Sequence, residues 1–307
     1  MKANDSEPDR RAVEVDDTLL RNWPLPMPGH EGDKEERGRV LIIAGSREMP
    51  GALILAAKAA LNAGAGKLAV ATAASVARLA AAMLPEARVI ELLETDAGGI
   101  DSSAIERVIE LLRTADATLI GPGMQDEQAI ADLCAALIKH ASSSTAMVLD
   151  AAAMGVVRGA TPVIRRFSMP SILTPHAGEL AHLTGIPKEQ IQAHPALTAL
   201  DAARQWNAIV VLKGAVTLIA GPDGSLWRHA GGNVGLATSG SGDTLAGIIA
   251  GLAARGASIE QAAVWGVALH ARAGERLAER AGPLGYLARD LSAEVPGLMH
   301  TLQRISR

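Results

Sequence analysis

Cysteine and aromatic residues are scarce in this sequence. Its 307 residues include one cysteine, Cys134, and only 2% are Phe, Trp or Tyr. A single cysteine excludes a disulfide framework within the chain and fits a reducing compartment. Because Cys134 falls in a helical run, we expect a small buried apolar residue rather than a nucleophile. So few aromatic rings exclude the base-stacking surfaces with which many proteins bind single-stranded nucleic acids.

The sequence also lacks a basic excess and a membrane-spanning apolar run. Lys and Arg number 29 against 33 Asp and Glu, for a net charge of −4, so nothing favours binding to nucleic acid or anionic lipid. No apolar run is long enough to cross a bilayer. Residues 1–17 are charged and have no signal-peptide core. We therefore expect a cytoplasmic protein without nucleic-acid or membrane partners.

Short apolar runs alternate with helical patterns along most of the chain. Fully apolar runs are typical of parallel strands that are covered on both faces. The predicted strands are 40–44, 68–72, 87–92, 117–120, 146–149, 172–173, 209–213, 216–220 and 226–230, and the last three predicted helices are 242–255, 259–280 and 290–304. This alternation predicts one α/β domain over 36–307, with a doubly wound, mostly parallel central sheet flanked by helices. Residues 1–35 are predicted to be an irregular N-terminal lead-in.

Small and polar residues follow the last apolar residue of five predicted strands. They are Gly45-Ser46, Gly121-Pro122-Gly123, Asp150, Thr174-Pro175-His176 and Lys213-Gly214. In an open parallel sheet the ligand crevice lies beyond these carboxyl ends. Such residues are also common in plain turns, but their recurrence at the same kind of position favours a binding site.

A glycine-rich loop leads directly into the predicted helix 242–255. The loop contains Gly240, Ser241 and Gly242, and Asp243 falls in the first helical turn. Because the first amides of a helix have no internal partners, this arrangement predicts an anion seat with one carboxylate at its mouth. We interpret it as a site for chemistry on a nucleotide or another phosphorylated ligand. The alternative is that the glycines only form a tight turn before the helix and that Asp243 only stabilises its first turn. The loop matches neither the dinucleotide-binding fingerprint nor the P-loop motif.

Taken together, the motifs resemble the NAD(P)H-hydrate dehydratase family, a branch of the ribokinase-like superfamily. The resemblance is carried, in the family's order and spacing, by residues 39–72, LIGPGM (119–124), VLDAAAM (148–154), ILTPHAGEL (172–180), VVLKGAVTLIA (210–220) and GNVGLATSGSGDTLAGIIAGL (232–252). It implies a ribokinase-like fold. It also implies a stand-alone dehydratase, without the epimerase domain that some members carry.

The resemblance further implies repair of hydrated NADH and NADPH at the expense of ADP or ATP, with ADP typical of bacterial members. The hydrate hydroxyl would be phosphorylated and phosphate then eliminated. Mg²⁺ would bridge the nucleotide phosphates with few direct protein ligands. Family members are often tetrameric, so the resemblance also implies a homo-oligomer.

Site residues follow from the resemblance, position by position. Asp243 would be the base, and the backbone amides of Gly240, Ser241 and Gly242 would hold the transferring phosphoryl group. The nucleotide-binding positions would be Lys213, Gly214, Ala215, Val216, Thr217 and Gly242. The positions that contact the hydrated dinucleotide would be Ala52, Gly123, His176 and Asp243.

Two departures from the family pattern keep other functions open. Ala152 replaces a second acid of the fourth motif, and Met49-Pro50 replaces an aromatic residue before Gly51-Ala52. One alternative is a kinase of the same superfamily that acts on a vitamin-precursor alcohol. The other, suggested by Ala152, is a weakly active nucleotide-binding protein.

The spacing of His176, Glu179 and His182 raises the possibility of a metal site. No HExxH-like pattern supports it. We therefore favour a histidine that contacts substrate or caps a helix.

Overall fold

The computed structural model describes residues 12–29, 33–158 and 171–303. Their strands form a ten-stranded sheet in the order β4-β3-β2-β5-β6-β7-β8-β9-β10-β1. The strands are β1 Val13–Glu14, β2 Arg39–Ile43, β3 Lys67–Ala73, β4 Ala87–Leu92, β5 Ala117–Ile120, β6 Ala146–Leu149, β7 Ser171–Leu173, β8 Ala208–Leu212, β9 Thr217–Ala220 and β10 Leu226–His229. Strands β2 to β8 pair in parallel, and β9 is antiparallel to both neighbours. The predicted mostly parallel sheet is confirmed.

Helices cover both faces of this sheet. They are α1 Asp17–Asn22, α2 Pro50–Asn62, α3 Ala74–Met83, α4 Ile109–Thr114, α5 Glu127–His140, α6 Ala177–Thr184, α7 Lys188–Ala193, α8 Pro195–Trp206, α9 Ser241–Ala254, α10 Ile259–Ala281 and α11 Ala288–Gln303. Consecutive residues of one strand enter opposite cores, as Ile42 and Ile43 of β2 do. Burial on both faces explains why the central strands are continuously apolar.

The N-terminal lead-in differs from the prediction of an irregular segment. Residues 1–11 and 30–32 lie outside the described part of the chain, but Val13–Glu14 pair with β10. Helix α1 begins after Asp16, whose Oδ1 accepts from the Leu19 amide at 2.8 Å, and it buries Leu20. These elements have only two and six residues, so their hydrophobic patterns are too short to be recognised among the surrounding charged residues.

Other predictions hold with small changes of boundary. Cys134 is buried, and burial raises the pKa of its thiol to about 12. Strand β9 begins at Thr217 rather than Val216, which lies in the preceding turn. None of the helices in the described ranges is long and apolar enough to cross a membrane.

Helices α2 and α9 pack backbone against backbone, which fixes the start of α9 relative to the sheet. A Cβ at Gly247 would overlap the carbonyl of Ala56, and one at Gly251 would overlap that of Ala60. Glycine is therefore required for this close approach, which larger residues would prevent.

We expect Gly247→Ala to lower the free energy of unfolding by about 1–3 kcal/mol, because the two helices must separate. The gain in helix propensity, roughly 1 kcal/mol, offsets only part of this. Urea unfolding followed by circular dichroism measures the difference. Gly51→Ala is the control, since a Cβ there meets nothing within 4 Å. Equal stability of Gly247→Ala and the wild type would contradict the prediction.

Candidate active site

The strand-end residues predicted from the sequence meet at one edge of the sheet. The Gly45 amide donates to the Pro122 carbonyl at 2.8 Å, and the Lys213 amide donates to the Pro175 carbonyl at 2.8 Å. Asp150 is buried at the end of β6, where its Oδ1 accepts from Thr174 Oγ1 at 2.6 Å. The loops after β2, β5, β6, β7 and β8 thus form one continuous rim.

The N-terminus of α9 opens onto this rim. Gly240 is the N-cap and has a φ of +87°, a conformation that favours glycine. The amide of Ser241 donates to the Thr238 carbonyl at 3.2 Å, whereas the amides of Gly242 and Asp243 donate to no other described residue. Free amides at a helix N-terminus, where the helix dipole is positive, suit an anion.

Among the described residues, Lys213 is the only positively charged side chain in a cluster of carboxylates. Its Nζ lies 3.6 Å from Asp150 Oδ1 and 3.6 Å from Glu179 Oε2. A Cβ at Gly242 would lie 3.4 Å from the same Nζ, so the lysine borders the first turn of α9. Because its side chain is only 21% exposed, its charge is weakly screened by solvent.

Asp243 faces the same group from the first turn of α9. Burial raises the pKa of its carboxyl to about 6, the Asp150 and Glu179 carboxylates act in the same direction, and Lys213 opposes them. A carboxyl group with a pKa close to neutral is suited to taking and releasing a proton.

His176 caps α6 through one ring nitrogen, and its other ring nitrogen, Nε2, lies 3.6 Å from Glu179 Oε2. Its Nδ1 accepts from the amides of Gly178 and Glu179 at 3.0 and 3.1 Å, and Glu179 Oε2 accepts from the His176 amide at 2.7 Å. The ring proton of the neutral form is therefore on Nε2, in a side chain that is 58% exposed. Among the described residues no three His, Cys, Asp or Glu side chains group as a metal site.

The remaining predicted positions lie in two places on the rim. Ala52 and Gly123 touch each other: Gly123 has a φ of +63°, and a Cβ there would lie 2.6 Å from Ala52 Cβ. Helix α2 links this pair to the α9 loop, because its Leu55 packs against Gly240. In the turn between β8 and β9, Gly214, Ala215 and Val216 are exposed, and Thr217 Oγ1 donates to the Gly214 carbonyl at 3.5 Å.

A cavity of about 580 Å³ adjoins His176 and Glu179. Its walls come from α5, from α6 and from the 3₁₀ helix Ala151–Val157. Ala152, which replaces the acid of the family pattern, lines this cavity. Loss of that acid therefore changes the cavity wall, whereas Asp150 remains beside Lys213.

Sequence reasoning missed two partners in this site. Glu179 enters the sequence analysis only as a candidate metal ligand, yet it is an ion-pair partner of Lys213. His270 of α10 was not singled out, yet its Nε2 lies 2.9 Å from Ser241 Oγ. The position of His270 inside a largely apolar helix could have drawn attention to it. The sequence does not show which residue it contacts.

Solved structures share this architecture. The chain is similar to the ADP/ATP-dependent NAD(P)H-hydrate dehydratase of Bacillus subtilis, which was co-crystallised with ATP and Mg²⁺, with a TM-score of 0.80 and 31% identity over 95% of this chain and 99% of that one. A ribokinase-like superfamily protein of Enterococcus faecalis gives a TM-score of 0.80 at 26% identity over 96% and 98% of the two chains. Fold and site together define a ribokinase-like α/β enzyme.

Sequence comparison narrows this class. A family model described as NAD(P)H-hydrate dehydratase matches residues 40–297. The chain is 49% identical to the ADP-dependent (S)-NAD(P)H-hydrate dehydratase of Xanthomonas campestris over 96% of its own length and 98% of that relative. The chain belongs to the NAD(P)H-hydrate dehydratase family, and the resemblance inferred from the motifs is confirmed.

Proposed function

We propose that this chain dehydrates hydrated NADH and NADPH, with ADP as the phosphoryl donor and AMP and phosphate as products. The observation that carries the proposal is the position of Asp243, in the first turn of α9 beside free amides and within the field of Lys213. A base next to an anion seat is what transfer of a phosphoryl group to a hydroxyl requires.

The chemistry follows from the poor leaving ability of hydroxide. Asp243 takes the proton of the hydrate hydroxyl. At the same time the hydroxyl oxygen forms a bond to the terminal phosphorus of ADP, and the bond between that phosphorus and the bridging oxygen of AMP breaks. The ring nitrogen then donates its electron pair and expels phosphate. Loss of a proton from the neighbouring ring carbon restores the double bond of the dihydronicotinamide.

The proposed nucleotide side of the site consists of Lys213, the turn 214–217 and Gly242. Lys213 offsets the phosphate charges, and the Gly242 amide donates to the transferring group, as amides do in oxyanion holes. Magnesium is proposed to enter with the nucleotide. Asp150 and Glu179, which face Lys213, would supply oxygen ligands of the kind this cation prefers, and the cation would neutralise phosphate charge.

The proposed substrate side consists of Ala52, Gly123 and His176. Ala52 and Gly123 are in contact and carry between them no side chain larger than a methyl group, which would let a ligand ring approach the backbone closely. His176 lines the neighbouring cavity and offers an Nε2–H donor to the polar groups of a dinucleotide bound there.

The rate should depend on the ionisation of Asp243. Because its pKa is raised to about 6, we expect kcat/KM to be constant above about pH 7 and to fall about tenfold per pH unit below about pH 6. His270 does not interfere, since burial lowers its pKa to about 4. Initial rates across this range give the profile, and circular dichroism at each pH tests for unfolding. A flat profile through pH 6 in folded protein would contradict the role of Asp243 as the base.

The function itself is tested by recovery of the near-ultraviolet absorbance of the dihydronicotinamide ring. Hydrated NADH and NADPH are incubated with the enzyme, Mg²⁺ and either ADP or ATP. Recovery with nucleotide and none without it is the expected result. Phosphorylation of hydroxymethylpyrimidine or thiazole alcohols instead would favour a kinase, and nucleotide binding without turnover would favour a weakly active nucleotide-binding protein.

The tetramer and the cytoplasmic location remain predictions from the resemblance and the composition. Size-exclusion chromatography with light scattering measures the first. Fractionation of cells that produce the protein measures the second.

A further inference from the structure

His270 is a half-buried polar residue on α10 that the proposed reaction does not use. Its Nε2 lies 2.9 Å from Ser241 Oγ and 3.1 Å from the Ser241 carbonyl oxygen. Both contacts reach the first residue of α9, the helix whose N-terminus forms the anion seat. Helix α10 otherwise contributes mainly apolar residues to the core on this side of the sheet.

The carbonyl contact determines which ring nitrogen carries the proton. A carbonyl oxygen only accepts hydrogen bonds, so Nε2 must be the donor. Burial lowers the pKa of His270 to about 4, so the ring is neutral near neutral pH and its one proton lies on Nε2. A protonated Nε2 does not accept, and therefore the Ser241 hydroxyl does not donate to it. The hydroxyl oxygen and the carbonyl oxygen of Ser241 share this one Nε2–H in a three-centre hydrogen bond, and the hydroxyl hydrogen stays free.

The amide of Ser241 is already engaged, because it donates to the Thr238 carbonyl at 3.2 Å. Resemblance alone assigned this amide to the transferring phosphoryl group. The geometry leaves the hydroxyl as the uncommitted donor of the residue. A hydroxyl whose oxygen is held by a fixed imidazole needs little further ordering before it donates to an anion, which is the property of an effective oxyanion donor.

We infer that His270 is a positioning residue that holds the Ser241 hydroxyl as a donor to the phosphoryl group at the N-terminus of α9. The inference rests on the proposed function, since it adds one donor to the same anion seat. In this inference the Ser241 side chain contacts the phosphoryl group, whereas His270 acts only by positioning that side chain.

Kinetics of three variants at His270 test the inference. Gln places a side-chain amide nitrogen at about the distance of Nε2 from the backbone, whereas Asn is too short and Leu has no donor. We expect His270→Leu and His270→Asn to lower kcat about 10- to 100-fold, with a smaller change in KM for ADP, and His270→Gln to stay within about threefold of wild type. If Gln is as poor as Leu, or Leu as good as wild type, the inference is wrong.

A double-mutant comparison asks whether His270 acts through Ser241. Ser241→Ala should lose about as much kcat as His270→Leu, and the double variant should lose little more, because both changes remove the same hydrogen bond to the anion. Additive losses would contradict the inference. His194→Gln, an exposed substitution at the start of α8, is the control, and thermal melts confirm that each variant is folded.

The ring tautomer is measured without any substrate. Long-range ¹H–¹⁵N spectra of the folded enzyme distinguish a protonated Nε2 from a protonated Nδ1, and the signal that disappears in His270→Gln identifies His270. We expect the Nε2–H form. An Nδ1–H form would mean that the Ser241 hydroxyl donates to the histidine, and the inference would fail. This measurement does not depend on dehydratase activity, so its failure and that of the proposed function are separate.

Discussion

Asp243→Asn is expected to lower kcat by about 10²- to 10⁴-fold, the range typical of a lost general base. The amide keeps the shape of the side chain but does not take the hydrate proton. Binding of ADP should persist or tighten, because the substitution removes a negative charge beside the phosphates. Steady-state rates by absorbance recovery and ADP titration by calorimetry measure the two effects.

The same substitution should make the protein more stable near neutral pH. The pKa of Asp243 is raised from 3.8 to about 6, chiefly by burial, so the folded state holds this proton more tightly than the unfolded state. Stability is therefore lost as the pH rises from about 4 to about 6, and above that range the ionised group destabilises the fold by roughly 3 kcal/mol. Asn carries no such cost.

Urea unfolding at two pH values provides the measurement. Near pH 8, Asp243→Asn should unfold at higher urea than wild type, and near pH 4 the difference should vanish. Asp201→Asn, an exposed change on α8, should alter neither stability nor rate. Full turnover by Asp243→Asn would remove Asp243 from its catalytic role. Lower stability near pH 8 would show that burial does not raise its pKa.

The sequence was sufficient to predict the fold and the edge of the sheet where the site lies. Its apolar runs are continuous because strands β2 to β8 are buried on both faces, and its strand-end residues meet because parallel strands end at one edge. The start of α9 was predicted within one residue, since Gly240 and Gly242 lie next to a long apolar helix.

Contacts between distant segments were beyond prediction from the sequence. Lys213 pairs with Asp150 and Glu179 because β6, β7 and β8 are neighbours, a sheet order that local patterns do not specify. His270 reaches Ser241 only because α10 packs on α9. The helices between residues 177 and 206 were also missed: α6 and α7 have only 8 and 6 residues, and four of the residues that α8 buries are alanines, which give a weak hydrophobic pattern.

Lys213→Met should impair both nucleotide binding and proton transfer. Its Nζ lies 3.6 Å from Asp150 and 3.6 Å from Glu179. Without this cation, the nucleotide phosphates would meet three carboxylates (Asp150, Glu179 and Asp243) with no positive side chain from the described residues between them. We expect KM for ADP to rise about 10- to 100-fold, the effect of losing a hydrogen bond to a charged group. Lys188→Met, an exposed change on α7, is the control.

The pH profile separates this electrostatic role from a merely structural one. Lys213 lowers the pKa of Asp243 against the combined effect of burial and the two neighbouring carboxylates. Its removal should therefore move the acid limb of kcat/KM above pH 6, so that the variant regains part of its activity as the pH rises. Lys213→Arg keeps the charge and should leave the limb near its wild-type position. In folded Lys213→Met, the acid limb of kcat/KM could instead stay at the wild-type pH or move to lower pH. Either result would mean that Lys213 does not govern the ionisation of the base.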